Sequence, residues 1–151
     1  MKSTFVKGFL TRIFRREHLA LCFFLHLWFS QTRKWSMSQV DEFNDYRSRM
    51  NDKILAQDNK VLKRFFNLDT NAYQEGALDQ RTKELLGLVA SMVLRCDDCI
   101  RYHLGKCFDL GVTRDQVFEV FSIANLVGGS ICIPHTRRAV EYWEALEGEA
   151  S

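Results

Sequence analysis

The chain has 151 residues, 46% of them hydrophobic and 26% charged, the size and balance of one globular domain with a sizeable core. Its net charge of +2 is a near-cancellation, because residues 1–36 carry seven Lys/Arg against Glu17 alone while residues 37–151 carry fourteen against eighteen Asp/Glu. An acidic body without a basic stripe argues against nucleic-acid binding, and five cysteines, an odd number beside ample core, argue against a disulfide framework.

Residues 1–36 are a different kind of sequence. A cationic start leads into an apolar run over residues 19–29, interrupted by His26. That run is too short to span a bilayer, which takes about 20 residues, and no small-x-small cleavage site follows it before Trp35. Three readings stand: translation that truly starts at Met37, a weak membrane or export anchor, or a folded element. The domain boundary is placed at 36/37, with 1–36 an extension outside the fold and 37–151 the folded domain; a membrane partner enters only if the extension is an anchor.

From Met37 the pattern is helical. Val40, Phe43, Tyr46, Met50, Ile54 and Leu55 recur at three- and four-residue spacing, the mark of one amphipathic helix. Shorter helical pieces follow, with Asp69 as an N-cap candidate. Asp79 is placed as the cap of "QRTKELLGLVASMVL", which is apolar nearly all round beyond Glu84 and belongs at the centre of the domain or in an interface. The pattern stumbles at residues 95–97, and another helix is predicted over 98–110 with Gly111 at its C-cap. Thr113 and Gln116 have capping-box spacing at the start of "RDQVFEVFSIANLV", which Gly128 and Gly129 end. Ser130 is a candidate cap for a last helix, with Pro134 in its tolerant first turn and Ala139, Tyr142, Trp143 and Leu146 on its apolar face. Phe65, Phe66, Phe118 and Phe121 read as core. No alternating strand pattern occurs, so the class is all-α.

The chemistry concentrates in "RCDDCIRYH". Cys22 lies in the extension, and Cys107 and Cys132 read as buried small hydrophobes, which leaves Cys96 and Cys99. A structural zinc site wants four ligands in two pairs. Here Cys96, Cys99, His103 and Cys107 lie along one helical face and cannot wrap a tetrahedron, so a metal site would need a further ligand such as His135. A CxxC that opens a helix instead puts two thiols in one turn, at the positive end of the dipole that stabilises a thiolate. His103, four residues after Cys99, can take or return the proton. Asp97 and Asp98 favour the helix start but oppose a nearby thiolate, which makes a dedicated base more necessary. Glu84 has two readings: an acid helping its helix to start, or a buried carboxylate with a raised pKa coupled to His103. His135 in "CIPHTRR" reads as a capping or packing residue.

The set Glu84, Cys96, Cys99 and His103, in the pattern E-x11-C-x-x-C-x3-H, resembles the motif of the alkyl hydroperoxidase D-like, carboxymuconolactone decarboxylase family. The likeness runs over about residues 38–147 and includes the "GVT" turn, the "NLVGG" break and the closing aromatic helix. It implies an all-α, compact helical bundle that assembles as trimers or hexamers. It also implies a thiol-dependent peroxidase or disulfide oxidoreductase that binds no metal or cofactor and acts on a hydroperoxide or disulfide in the cytoplasm. Carried over, Cys99 is the peroxidatic thiol, Cys96 its disulfide partner, and Glu84 with His103 the proton relay. An external dithiol, a lipoyl group or a thioredoxin-like protein, would reduce the pair. In alkyl hydroperoxidase D a histidine precedes the second cysteine, where this chain has Asp98, and the chain is shorter than that two-repeat protein. The decarboxylase branch lacks the cysteine pair, so action on a small lactone is the alternative activity, and a metal-binding or structural oligomeric module is the alternative to an enzyme.

Overall fold

A computed structural model of the protein describes residues 37–150; the readings made of residues 1–36 lie outside them. Six α-helices and one 3₁₀ turn make up the described residues: α1 Gln39–Leu55, α2 Lys60–Ala72, α3 Gln80–Leu94, α4 Asp97–Asp109, α5 Arg114–Gly128, the 3₁₀ turn Ser130–Cys132, and α6 Ile133–Glu149. The class is all-α, as the periodicity indicates.

Helix starts follow local chemistry. The Ser38 hydroxyl accepts from the Asp41 amide at 3.0 Å and the Asp79 carboxylate from the Thr82 amide at 2.6 Å. Thr113 and Gln116 form both halves of the capping box, a cap whose loss costs about 1 kcal/mol. Two sequence expectations fail here. Asp69 caps nothing; it lies inside α2, because the Asn59 side chain already accepts from the amides of Val61 and Leu62 and starts that helix earlier. Ser130 makes no cap either, since the chain tightens into the 3₁₀ turn and Pro134 enters α6 directly behind it. Gly111 sits one residue past the C-cap of α4, at φ +69°, where glycine relieves the left-handed turn.

α3 takes the centre, packed against α4 and α5, while α6 closes over α4 and carries α1 on its flank. Leu88, Met92, Leu104, Val117 and Ala124 are sealed from solvent between these helices, each large side chain contributing roughly 1.5–3 kcal/mol by burial. Trp143 packs edge-on to Phe108 and Tyr142 to Phe43, which ties α6 to α4 and α1. Burial pushes the Tyr142 hydroxyl up to about 12.

α2 differs from its neighbours. None of its residues is buried, and Phe65 is 66% exposed with Val61 and Leu68 beside it. Of the four phenylalanines read as core, only Phe121 is buried; Phe66 is half-buried and Phe118 exposed. Helical periodicity marks an apolar face, and the described residues do not cover that of α2. No helix among the described residues is long and apolar enough to cross a membrane.

Candidate active site

The turn between α3 and α4 presents the cysteines. α3 ends on Arg95 in the left-handed conformation (φ 61°, ψ 38°), which reverses the chain so that Cys96 becomes the N-cap of α4. Cys99 then falls in the first turn. The two Cα atoms are 5.3 Å apart, within disulfide reach, and the half-buried pair is joined as a disulfide.

One turn further on, His103 faces α3. Its Nδ1 lies 2.7 Å from Glu84 Oε2, and both residues are buried, Glu84 at 1% and His103 at 7% exposure. Glu84 therefore stands past the first turn of α3, and its carboxylate is engaged with His103 rather than with the helix start. A carboxylate only accepts, so with Glu84 ionised the imidazole proton is on Nδ1 and Nε2 is left as an acceptor. The contact also explains how an acid survives in the core, because an unpaired buried charge would cost several kcal/mol.

Space for the ring comes from Gly87. A Cβ there would stand 2.5 Å from His103 Cε1, 2.8 Å from Nε2 and 2.7 Å from the Tyr73 hydroxyl. Sequence reading passed over Gly87, although a glycine in an otherwise strong helix, one turn after that helix's lone acid, was the available signal. It also passed over Tyr73 and Tyr102, whose rings flank His103 at centroid distances of 5.3 Å. Burial, reinforced by the charge of Glu84, pushes both phenols up, so each keeps its proton.

His103 and Cys99 open on one cavity of about 290 Å³, walled by Phe43, Tyr46 and Met50 of α1, by Tyr102, and by Asp69 and Asp98 at its polar side. Cys96 is not among its walls. Cys107 and Cys132 are both fully buried, as read from the sequence. Burial first, then the charge of Glu84, pushes the Cys107 thiol up to about 12, which keeps it protonated and inert.

The two aspartates are not left to repel a thiolate. Asp97 Oδ1 is 2.7 Å from His135 Nδ1, and Oδ2 is 3.0 Å from an Arg138 guanidinium nitrogen. Asp98 lies 3.7 Å from Arg101. Partial burial pushes the Asp97 carboxyl up, but the hydrogen bonds and charges of His135 and Arg138 outweigh it and hold it below the usual range. His135, read from sequence as a cap or packing residue, instead reaches across from α6 to the residue between the cysteines. No group of three or more His, Cys, Asp or Glu side chains among the described residues is disposed to hold a metal ion. A cysteine pair at a helix start, with Cys99 sharing its cavity with the Glu84-paired His103, is a thiol–disulfide redox site.

Comparison with known proteins agrees with this geometry. The family model described as carboxymuconolactone decarboxylase family matches residues 59–143. A crystal structure from Thermotoga maritima is 52% identical, covers 72% of this chain and 96% of its own, and superposes with a TM-score of 0.71. An uncharacterised protein of Cupriavidus necator is 32% identical over 75 residues, 50% of this chain and 66% of its own length. An alkyl hydroperoxide reductase AhpD of Corynebacterium aurimucosum is 31% identical over 62 residues, 41% of this chain but only 35% of that protein.

Proposed function

The chain belongs to the carboxymuconolactone decarboxylase family, and we propose that it is a thiol-dependent peroxidase of the alkyl hydroperoxide reductase kind. The observation that carries this is the single cavity onto which both Cys99 and the Glu84-paired His103 open. An AhpD among its relatives supports the same reading, as does a Thermotoga maritima family member suggested to act in an antioxidative response.

In this reading His103 Nε2 takes the Cys99 proton, and Glu84 holds the resulting imidazolium. The thiolate attacks the outer oxygen of a hydroperoxide, the O–O bond breaks, and the departing alkoxide receives the proton back from His103 as an alcohol. Cys99 is left as a sulfenic acid. Cys96 then attacks that sulfur; its proton and the sulfenic hydroxyl leave as water, and the disulfide forms. Two electrons and two protons from an external dithiol, a lipoyl group or a thioredoxin-like protein, regenerate both thiols. Cys99 is assigned the attack because it lines the cavity and Cys96 does not.

The working form is a homo-oligomer, a trimer or hexamer, located in the cytoplasm, with residues 37–151 as its folded unit and residues 1–36 outside it. The uncovered apolar residues of α2 and the exposed Leu126 and Val127 of α5 support assembly, since contiguous apolar faces on a lone protomer are costly. Adding one equivalent of peroxide to the reduced protein tests the chemistry. Mass spectrometry should find the Cys96–Cys99 disulfide, and a Cys99→Ser variant should consume no peroxide. A wild-type protein that leaves peroxide untouched with both thiols reduced would end the proposal.

A further inference from the structure

The redox reading uses Cys96, Cys99, His103 and Glu84 and leaves a second ionic group beside them without a role. His135 and Arg138 are one turn apart on the same face of α6, and both converge on Asp97, the residue that follows Cys96. The Arg138 nitrogen also lies 2.9 Å from His135 Nδ1. Nδ1 can donate to the carboxylate or accept from Arg138 but not both. The shorter contact is to Asp97 Oδ1, which can only accept, so the imidazole proton sits on Nδ1 and the guanidinium pairs with Oδ2. The groups that face His135 are thus Asp97 from α4 and Arg138 from its own helix, while Asp98, the other acid of the turn, is directed to Arg101.

A carboxylate at this position acts directly on the cysteines. Asp97 is the first residue of α4, flanked by the N-cap Cys96 and two residues ahead of Cys99. Reduction frees two thiols at the same helix end, and reaction requires one of them to ionise there. An uncompensated negative charge there raises the cost of the thiolate and favours the disulfide. Spreading that charge over a guanidinium and an imidazole removes the penalty, and it does so from a helix packed firmly on α4.

We infer that Arg138 and His135 are positioning residues that set how readily the Cys96–Cys99 pair gives up its electrons, acting through Asp97. The inference rests on the reading of that pair as redox-active. The couple itself is unchanged: two thiols lose two electrons and two protons to one disulfide, whichever oxidant takes them.

The test measures the thiols and not peroxide turnover. In the reduced full-length protein, the rate of iodoacetamide alkylation at Cys99 is followed against pH, with peptide mass spectrometry to assign the site. The thiol–disulfide equilibrium is read against dithiothreitol. Arg138→Ala should slow alkylation at neutral pH about three- to tenfold, the size of a half to one unit rise in the thiol pKa. It should favour the disulfide by a similar factor, about 30 mV for a tenfold change in a two-electron couple. Arg138→Lys, which keeps the charge, should recover most of the loss. On an Asp97→Asn background the same Arg138→Ala change should have no effect, and Asp97→Asn alone should leave alkylation equal or faster. His135→Ala should follow Arg138→Ala with a smaller shift.

An Arg138→Ala effect of the same size with and without Asp97, or slower alkylation in Asp97→Asn alone, overturns the inference. Asp97→Asn removes no apolar contact, so it decides the matter even where the α6 variants fold poorly. Intact shifts in a protein that consumes no peroxide would overturn the peroxidase reading and leave this inference standing.

Discussion

Two histidine–carboxylate pairs in this molecule share the same 2.7 Å contact through Nδ1 and differ in their surroundings. Glu84–His103 is buried, with side chains 1% and 9% exposed; Asp97–His135 is 36% and 15% exposed and carries Arg138, paired to the same carboxylate, as a third member. Burial decides what such a pair is for. In the core, an imidazole held by a carboxylate through one nitrogen presents the other as a base of defined position. At the surface, screened and joined by a guanidinium, the same contact holds a charge in place and tunes what lies next to it.

The contrast can be broken at its buried end with the largest effect. Glu84→Ala leaves His103 buried without its partner, and chemical denaturation should register a loss of about 3–5 kcal/mol. Glu84→Gln keeps the volume and removes the charge; peroxide consumption should fall about a hundredfold, the scale of a lost acid–base catalyst. A loss below about 1 kcal/mol in Glu84→Ala would place this pair in the same class as the surface one.

Gly87→Ala attacks the same pair through packing. The added methyl meets His103 and Tyr73 at 2.5–2.8 Å, so overpacking should cost about 1–3 kcal/mol, partly offset by the roughly 1 kcal/mol that alanine gains over glycine in a helix. Activity should fall further than stability, because the imidazole is what moves. Thermal unfolding and peroxide consumption measured on one preparation separate the two.

These two residues also mark the reach of the sequence. Glu84 was visible as the lone acid in an apolar run, but spacing alone left it open between a helix-start acid and a partner of His103; the family resemblance, not local pattern, paired them. Helix spans were legible too: α3 and α5 carry their caps in their own residues. Gly87 was not, since its role depends on which ring crosses from α4. Asp97–His135 was not, because the contact joins residues 38 positions apart and no local pattern encodes it. The apolar face of α2 was visible, but amphipathic spacing states only that a face is apolar, not which chain covers it.

Smaller changes sharpen the surface side of the comparison. Arg95 holds a left-handed backbone conformation just before Cys96, which costs a non-glycine residue about 1–2 kcal/mol. Arg95→Gly should therefore raise stability by about 0.5–1 kcal/mol in thermal unfolding while leaving Glu84–His103 intact. The smallest effect is the acid limb of stability. His135 and Arg138 hold the Asp97 carboxyl below its ordinary value against the opposing push of burial. Its contribution is thus present above the unfolded-state value and is lost as pH falls through the folded one. Between about pH 5 and pH 2, wild type should lose more stability than Asp97→Asn; equal losses would show that the surface pair holds no charge in place.

The most direct measurement is the rate of peroxide consumption by the reduced protein as a function of pH, for wild type and His103→Gln. If the buried pair is the base for Cys99, the variant should be slowed about a hundredfold or more at neutral pH. It should then regain rate as pH rises and the thiolate forms unaided. A variant that matches wild type at neutral pH would contradict the assignment of the buried pair as the proton relay.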